Sequence, residues 1–241
     1  MGCGNRLVEI VYLGSVSTTT FAYDGFSRMV KRTELAGGTA YDSKTYVWDR
    51  LNRAEERDST GSTVKKRYFA YGQEDLVLGL SRFYARDHLG SIWETLDASG
   101  NTLASFSYDP WGRRTQVSGI DFLDMGFTGF YFHWKSGLNF ALYRAFNPNL
   151  GRWLSRDPID EFGGPNLYRY VNNNPIFYHD PNGTNAVTDW VNSMWDTLAG
   201  ARKDIVDWSR HWTFLGAPFR RDSITCSKKS FQRGQMNQIL F

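Results

Sequence analysis

The 241-residue chain has only two cysteines, Cys3 and Cys226. Two thiols at opposite ends cannot build a disulfide framework, and they are too few for a structural zinc site. No apolar run approaches the roughly 18 residues of a membrane-spanning helix. The opening stretch MGCGNRLVEIVYLG lacks a basic region followed by a long apolar core, so no Sec-type leader is legible in it. Arg6 stands where a myristoylation signal needs Ser or Thr. Phosphate-binding glycine loops, a GxSxG elbow and CxxC pairs are all missing. His88, His133 and His179 have no metal-ligand spacing and read as structural histidines, so the expected cofactor and metal content is none.

Proline is scarce at 7 residues while aromatics reach 16%, which argues for a folded chain with a sizeable core. The net charge of +3 is unevenly spread, because residues 202–241 carry eight Lys/Arg against three Asp/Glu. What repeats is an aromatic residue, then Asp, then Arg four positions later. The unit occurs as YDGFSR (Tyr23–Arg28), WDRLNR (Trp48–Arg53) and YDPWGR (Tyr108–Arg113), with a degenerate YGQED at Tyr71–Asp75. Runs such as TYVWD and KKRYFAY lie between glycine-containing turns, the pattern of successive β-hairpins. The simple reading of each Asp–Arg pair is a capped turn with a surface ion pair.

These units resemble the YD repeats of Rhs proteins, related bacterial toxins and the teneurin shell. ARDHLGSIWETLDASGNTLASFSYDPWGR at Ala85–Arg113 looks like the segment that precedes the Rhs-associated core. FTGFYFHWKSGLNFALYRAFNPNLGRWLSRDPID and GGPNLYRYVNNNPIFYHDPNG, from Phe127 to Gly183, look like the core itself. The resemblance implies a mainly β fold: consecutive YD hairpins over 1–120 forming part of a curved shell, and the core as a plug over 121–184. A variable tail follows over 185–241. With so few repeats only part of a shell can be present, so an open N-terminal edge, a longer parent protein or a second chain completing the shell is expected.

The resemblance also implies chemistry, since the family's core cuts its own backbone shortly after a final DPxG, using acidic residues. The matching positions are Arg156 and Asp157 in SRDP and Asp180 in HDPNG, with Thr184 before the expected break where the family has Leu. Two carboxylates held close cannot both stay ionised cheaply, so one serves as acid and the other as base. An adjacent Arg156 would hold one of them charged or stabilise an oxyanion. Both Asp-Pro pairs also have a purely structural reading as turns.

Beyond Thr184, Trp190, Met194, Leu198, Ala201, Ile205, Trp208 and Trp212 fall on one face of a helix, expected to dock on the β-region or, less simply, to lie on a membrane surface. The basic tail suits nucleic acid only if it is a toxin, and it lacks nuclease signatures. Expected partners are the rest of a shell, an immunity protein, or a cell-surface carbohydrate if the nine tryptophans offer stacking faces. The expected location is secreted or cell-surface associated after export from the cytoplasm. A carbohydrate-binding module and a remnant without catalysis are the alternatives to a toxin shell-and-plug.

Overall fold

The computed structural model describes residues 5–119 and 123–184; the helix expected over 186–212 and the basic tail lie outside them. Period-2 patterning becomes an antiparallel meander in which each strand pairs with the next. The strands are β1 (Glu9–Tyr12), β2 (Ser17–Tyr23), β3 (Met29–Ala36), β4 (Thr39–Asp49), β5 (Asn52–Arg57) and β6 (Val64–Phe69). They continue as β7 (Gly72–Asp75), β8 (Leu80–Arg86), β9 (Ile92–Leu96), β10 (Thr102–Tyr108) and β11 (Arg114–Gly119). β1 and β11 are the outer strands of this sheet. A second sheet holds β12 (Tyr131–His133), β13 (Leu138–Phe140), β14 (Ala145–Asn147) and β15 (Arg152–Trp153). No α-helix occurs among the described residues.

The turns explain the repeat. At Asp24, Asp58, Asp87, Asp97 and Asp109 one carboxylate oxygen accepts the backbone N–H groups two and four residues on. The position three residues on is left-handed in each case: Ser27, Gly61, Gly90, Gly100 and Gly112. The local rule is therefore Asp-x-x followed by a left-handed residue, with the carboxylate satisfying the turn's donors and glycine supplying the positive φ in four of the five turns, Ser27 in the other. Anchoring is equally regular. Tyr23 Oη donates to Leu7 O, Trp48 Nε1 to Met29 O and Tyr108 Oη to Ile92 O, each at 2.8 Å.

The Asp–Arg pair behaves as expected in two units, with Arg28 Nε 2.7 Å from Asp24 and Arg113 Nε 2.5 Å from Asp109. Arg53 departs from the pattern. Its hairpin has only two residues between strands, so Arg53 turns inward and its guanidinium lies 4.0 Å from the ring centroids of both Tyr46 and Tyr131. That contact joins the two sheets and contributes about 1–2 kcal/mol per desolvated face.

One face of the large sheet covers the small one. Phe21, Met29 and Tyr46 pack on Tyr131, Leu138, Phe140 and Ala145. A second cluster gathers Phe127, Phe130, Phe146, Trp153, Tyr170 and Val171 under Tyr108 and Trp111. Gly112 shows how tightly its turn meets the second cluster. A Cβ there would lie 2.3 Å from the Phe127 ring, at a φ of +79°, whereas Gly100, with φ +84°, has open space around it. Gly112→Ala is expected to cost about 2–4 kcal/mol, combining left-handed strain with overpacking, and Gly100→Ala only about 1–2 kcal/mol. Urea midpoints of the two variants measure the difference.

A polar seam crosses the same interface. His133 Nε2 donates to Glu34 Oε1 at 2.8 Å, Thr19 Oγ1 donates to Glu34 Oε2 at 2.6 Å, and Lys135 Nζ lies 3.2 Å from Oε2. Burial pushes the His133 imidazole below its ordinary value, with Arg32 and Lys135 adding to the effect and Glu34 opposing it. Burial pushes the Glu34 carboxyl up, but the bonds from Thr19, His133 and Lys135 outweigh it and hold the group low. Both folded values lie below the unfolded ones, so their stabilisation is present at neutral pH and lost on acidification. The thermal midpoint is expected to fall as pH drops below the ordinary imidazole value of about 6.5. A midpoint flat from about pH 7 to about pH 5 would contradict this linkage.

Candidate functional site

Three segments around the small sheet converge on one guanidinium. Arg144 ends the short connection between β13 and β14, Asp157 follows β15 in the SRDP turn, and Asp180 opens the turn that ends at Thr184. All three are buried, at 4%, 7% and 2% exposure. Arg144 Nη1 lies 2.9 Å from Asp157 Oδ2, and Nη2 lies 3.1 Å from Asp180 Oδ2. Its Nε donates to the Gly183 carbonyl at 2.6 Å. The Trp153 ring lies 4.4 Å from the guanidinium carbon. Burial lowers the pKa of Arg144, against the pull of Asp180 and then Asp157.

Each aspartate also keeps its turn. Asp157 Oδ1 accepts the Ile159 N–H at 3.0 Å, and Asp160 takes the left-handed position with φ 52°. Asp180 Oδ1 accepts the Gly183 and Thr184 N–H groups, both at 2.9 Å, and Gly183 has φ 78°. Asp180–Thr184 is thus a relative of the hairpin turns of the large sheet, with one difference. The second carboxylate oxygen points to the buried Arg144 instead of toward a surface arginine.

The structure brings Asp157 and Asp180 onto one cation and leaves Arg156 out of that cluster. Arg156 is exposed; it contributes its carbonyl oxygen, which accepts a bond from Asn5 Nδ2 at 3.0 Å. The holding arginine is Arg144, because it enters the fold on the inward side of the chain just before β14, while Arg156 precedes its aspartate on the outward side. A signal for Arg144 was present in the sequence. It is the one charge in the stretch Leu138–Phe146, and a charge inside an apolar run needs a buried partner.

The tryptophans divide. Trp153 is fully buried, Trp48 and Trp111 are half-buried, and Trp93 and Trp134 are exposed. The Trp134 ring face is met by the Arg114 guanidinium at 4.0 Å. Among the described residues no cluster of metal-binding side chains occurs, and no helix is long and apolar enough to cross a membrane.

Comparison with known proteins identifies relatives of the chain. Residues 79–176 match the family described as the Teneurin YD-shell. The chain is 30% identical over 176 residues to the tRNA3(Ser)-specific nuclease WapA of Bacillus spizizenii, a match covering 68% of this chain and 7% of that protein. It is 32% identical over 142 residues to toxin protein Tse5 of Pseudomonas aeruginosa, covering 56% of this chain and 11% of Tse5. The chain therefore spans only a small part of the relatives it matches. The crystal structure of TcdB2-TccC3 aligns with a TM-score of 0.58 at 21% identity, over 74% of this chain and 10% of that one. That likeness concerns the fold.

Proposed function

The chain belongs to the Rhs/YD-repeat family, and from that premise we propose that it is the shell-and-plug portion of a bacterial polymorphic toxin whose plug cuts the backbone beside Thr184. One observation carries this reading. A single buried guanidinium binds both aspartates and the Gly183 carbonyl, one residue before the proposed break. With all three groups ionised the cluster holds one net negative charge, so it has room for one proton. In the proposed chemistry one carboxyl carries that proton and is the acid, and the other is the base.

In the proposed reaction water adds to the Thr184 carbonyl carbon and loses a proton to the basic carboxylate. The protonated carboxyl gives its proton to the departing nitrogen of Asn185. Arg144 keeps both carboxyls in place and, through Nε, fixes the turn that leads into the proposed scissile bond. The products would be residues 1–184 and 185–241, the second held or presented by the first. Further strands or a second chain would complete the shell at β1, and an immunity protein would neutralise the released part. Export before action fits the relatives, which include toxins.

Intact mass after expression tests the reading. Two masses that sum to the full chain plus one water support it. A single full-length mass, unchanged on long incubation, leaves two Asp-Pro turns with an ion pair and no chemistry.

A further inference from the structure

Ser136 lies half-buried in the connection between β12 and β13, and it belongs to no part of the Arg144 cluster. It lines an open cleft of about 410 Å3 whose apolar walls include Leu7, Ile10, Tyr12, Leu138 and Leu154. Its Oγ is 2.7 Å from His133 Nδ1, while His133 Nε2 is 2.8 Å from Glu34 Oε1. An ionised carboxylate can only accept, so the ring proton sits on Nε2. Nδ1 then presents its lone pair, and the Ser136 hydroxyl donates to it.

The relay is rigid at each member. The His133 ring is 1% exposed, with Phe21 at 5.6 Å and Phe140 at 6.3 Å, both near-perpendicular to it. Glu34 is held by Thr19 and Lys135 in addition to His133. The Leu138 N–H donates to Ser136 Oγ at 3.3 Å and fixes the hydroxyl's rotamer. A turn of this kind needs only one short polar side chain, and the buried carboxylate behind the histidine adds nothing to the turn. It does add the orientation and tautomer control that a general base requires.

We propose that Ser136, His133 and Glu34 are a nucleophile, its general base and the carboxylate that positions that base, acting on esters with a short apolar acyl chain seated in the adjoining cleft. Ser136 Oγ bonds to the acyl carbon and its proton passes to Nδ1. The tetrahedral oxyanion collapses, the ester's alkoxide leaves, and it takes that proton from Nδ1. Water activated by the same nitrogen then releases the acid and restores Ser136. Water is the sole co-reactant. Lys135 lines the same cleft and brings positive charge to it.

The test uses the whole chain and an alkyl fluorophosphonate, which reacts with activated serines. The expected result is one adduct by intact mass, mapped to Ser136, and none in Ser136→Ala. Glu34→Gln keeps the bond from Thr19 but ends tautomer control, so labelling should slow by at least about tenfold. The wild-type labelling rate should fall on acidification through one titration below the ordinary imidazole value of about 6.5, which reads the base even if Glu34→Gln does not fold. The proposal is overturned by a folded wild type without an adduct at Ser136. It is equally overturned by a Glu34→Gln rate equal to wild type, or by a rate that only climbs with pH and shows no plateau.

Discussion

Arg144→Met is expected to lower stability by about 3–5 kcal/mol, the cost of leaving buried carboxylates without their counter-charge. Methionine matches the arginine stem in length and keeps the contact with Trp153, so packing loss is a minor part. What is lost is the link to Asp157, to Asp180 and to the Gly183 carbonyl, three attachments drawn from two turns, the SRDP turn and the Asp180–Thr184 turn. Arg144→Lys should fall between, since an ammonium keeps the charge but cannot span three acceptors with a planar fork. Urea denaturation of the three proteins gives the order directly. A midpoint for Arg144→Met within error of wild type would mean that water already serves these carboxylates and that the cluster is no cluster at all. Arg156→Met, by contrast, removes an exposed side chain and should change stability by no more than about 0.5 kcal/mol.

The second large effect is on cleavage. Asp157→Asn should abolish the proposed break after Thr184, because an amide neither takes nor gives the required proton at neutral pH. Asp180→Asn separates the two roles of that residue. Asparagine preserves the turn, since its carbonyl oxygen can still accept the Gly183 and Thr184 N–H groups. Loss of cleavage in a variant that still folds would therefore assign chemistry to Asp180 and not merely shape. A drop on the order of 100-fold or more in rate is expected for either change. Thr184→Leu, which restores the apolar residue the family carries there, should speed the break if fit at that position limits it. Time courses on denaturing gels, with masses of both fragments, follow all three. Cleavage that continues at the wild-type rate in Asp157→Asn would remove the aspartate mechanism from consideration.

Local chemistry was legible in the linear chain wherever the information lies within about five residues. The Asp-x-x-Gly turns are of this kind: acceptor, donors and the left-handed glycine sit in one short word, so YDPWGR announces its hairpin with no help from the rest of the fold. Period-2 runs between such words gave the antiparallel meander for the same reason, since face alternation is a property of consecutive residues. Asp157 and Asp180 were legible as turn formers, because each heads its own Asp-Pro turn; only the family resemblance singled them out as a pair.

The tertiary structure alone decided which groups meet. Arg156 is next to Asp157 in sequence, but neighbours on an extended chain point to opposite sides, so adjacency favours Asp157 inward and Arg156 outward. Arg144 reaches Asp180 across 36 residues because β14 and two turns close on each other around Trp153. Arg53 matches Arg28 and Arg113 in its repeat, yet a turn shorter by some residues sends it between two tyrosines and not to its aspartate. Glu34 and His133 meet across 99 residues, on two different sheets. A sequence specifies turns through bonds that each turn contains. It specifies a buried charge only through the desolvation cost that such a charge must offset, and where the offsetting partner lies is settled by how the sheets close.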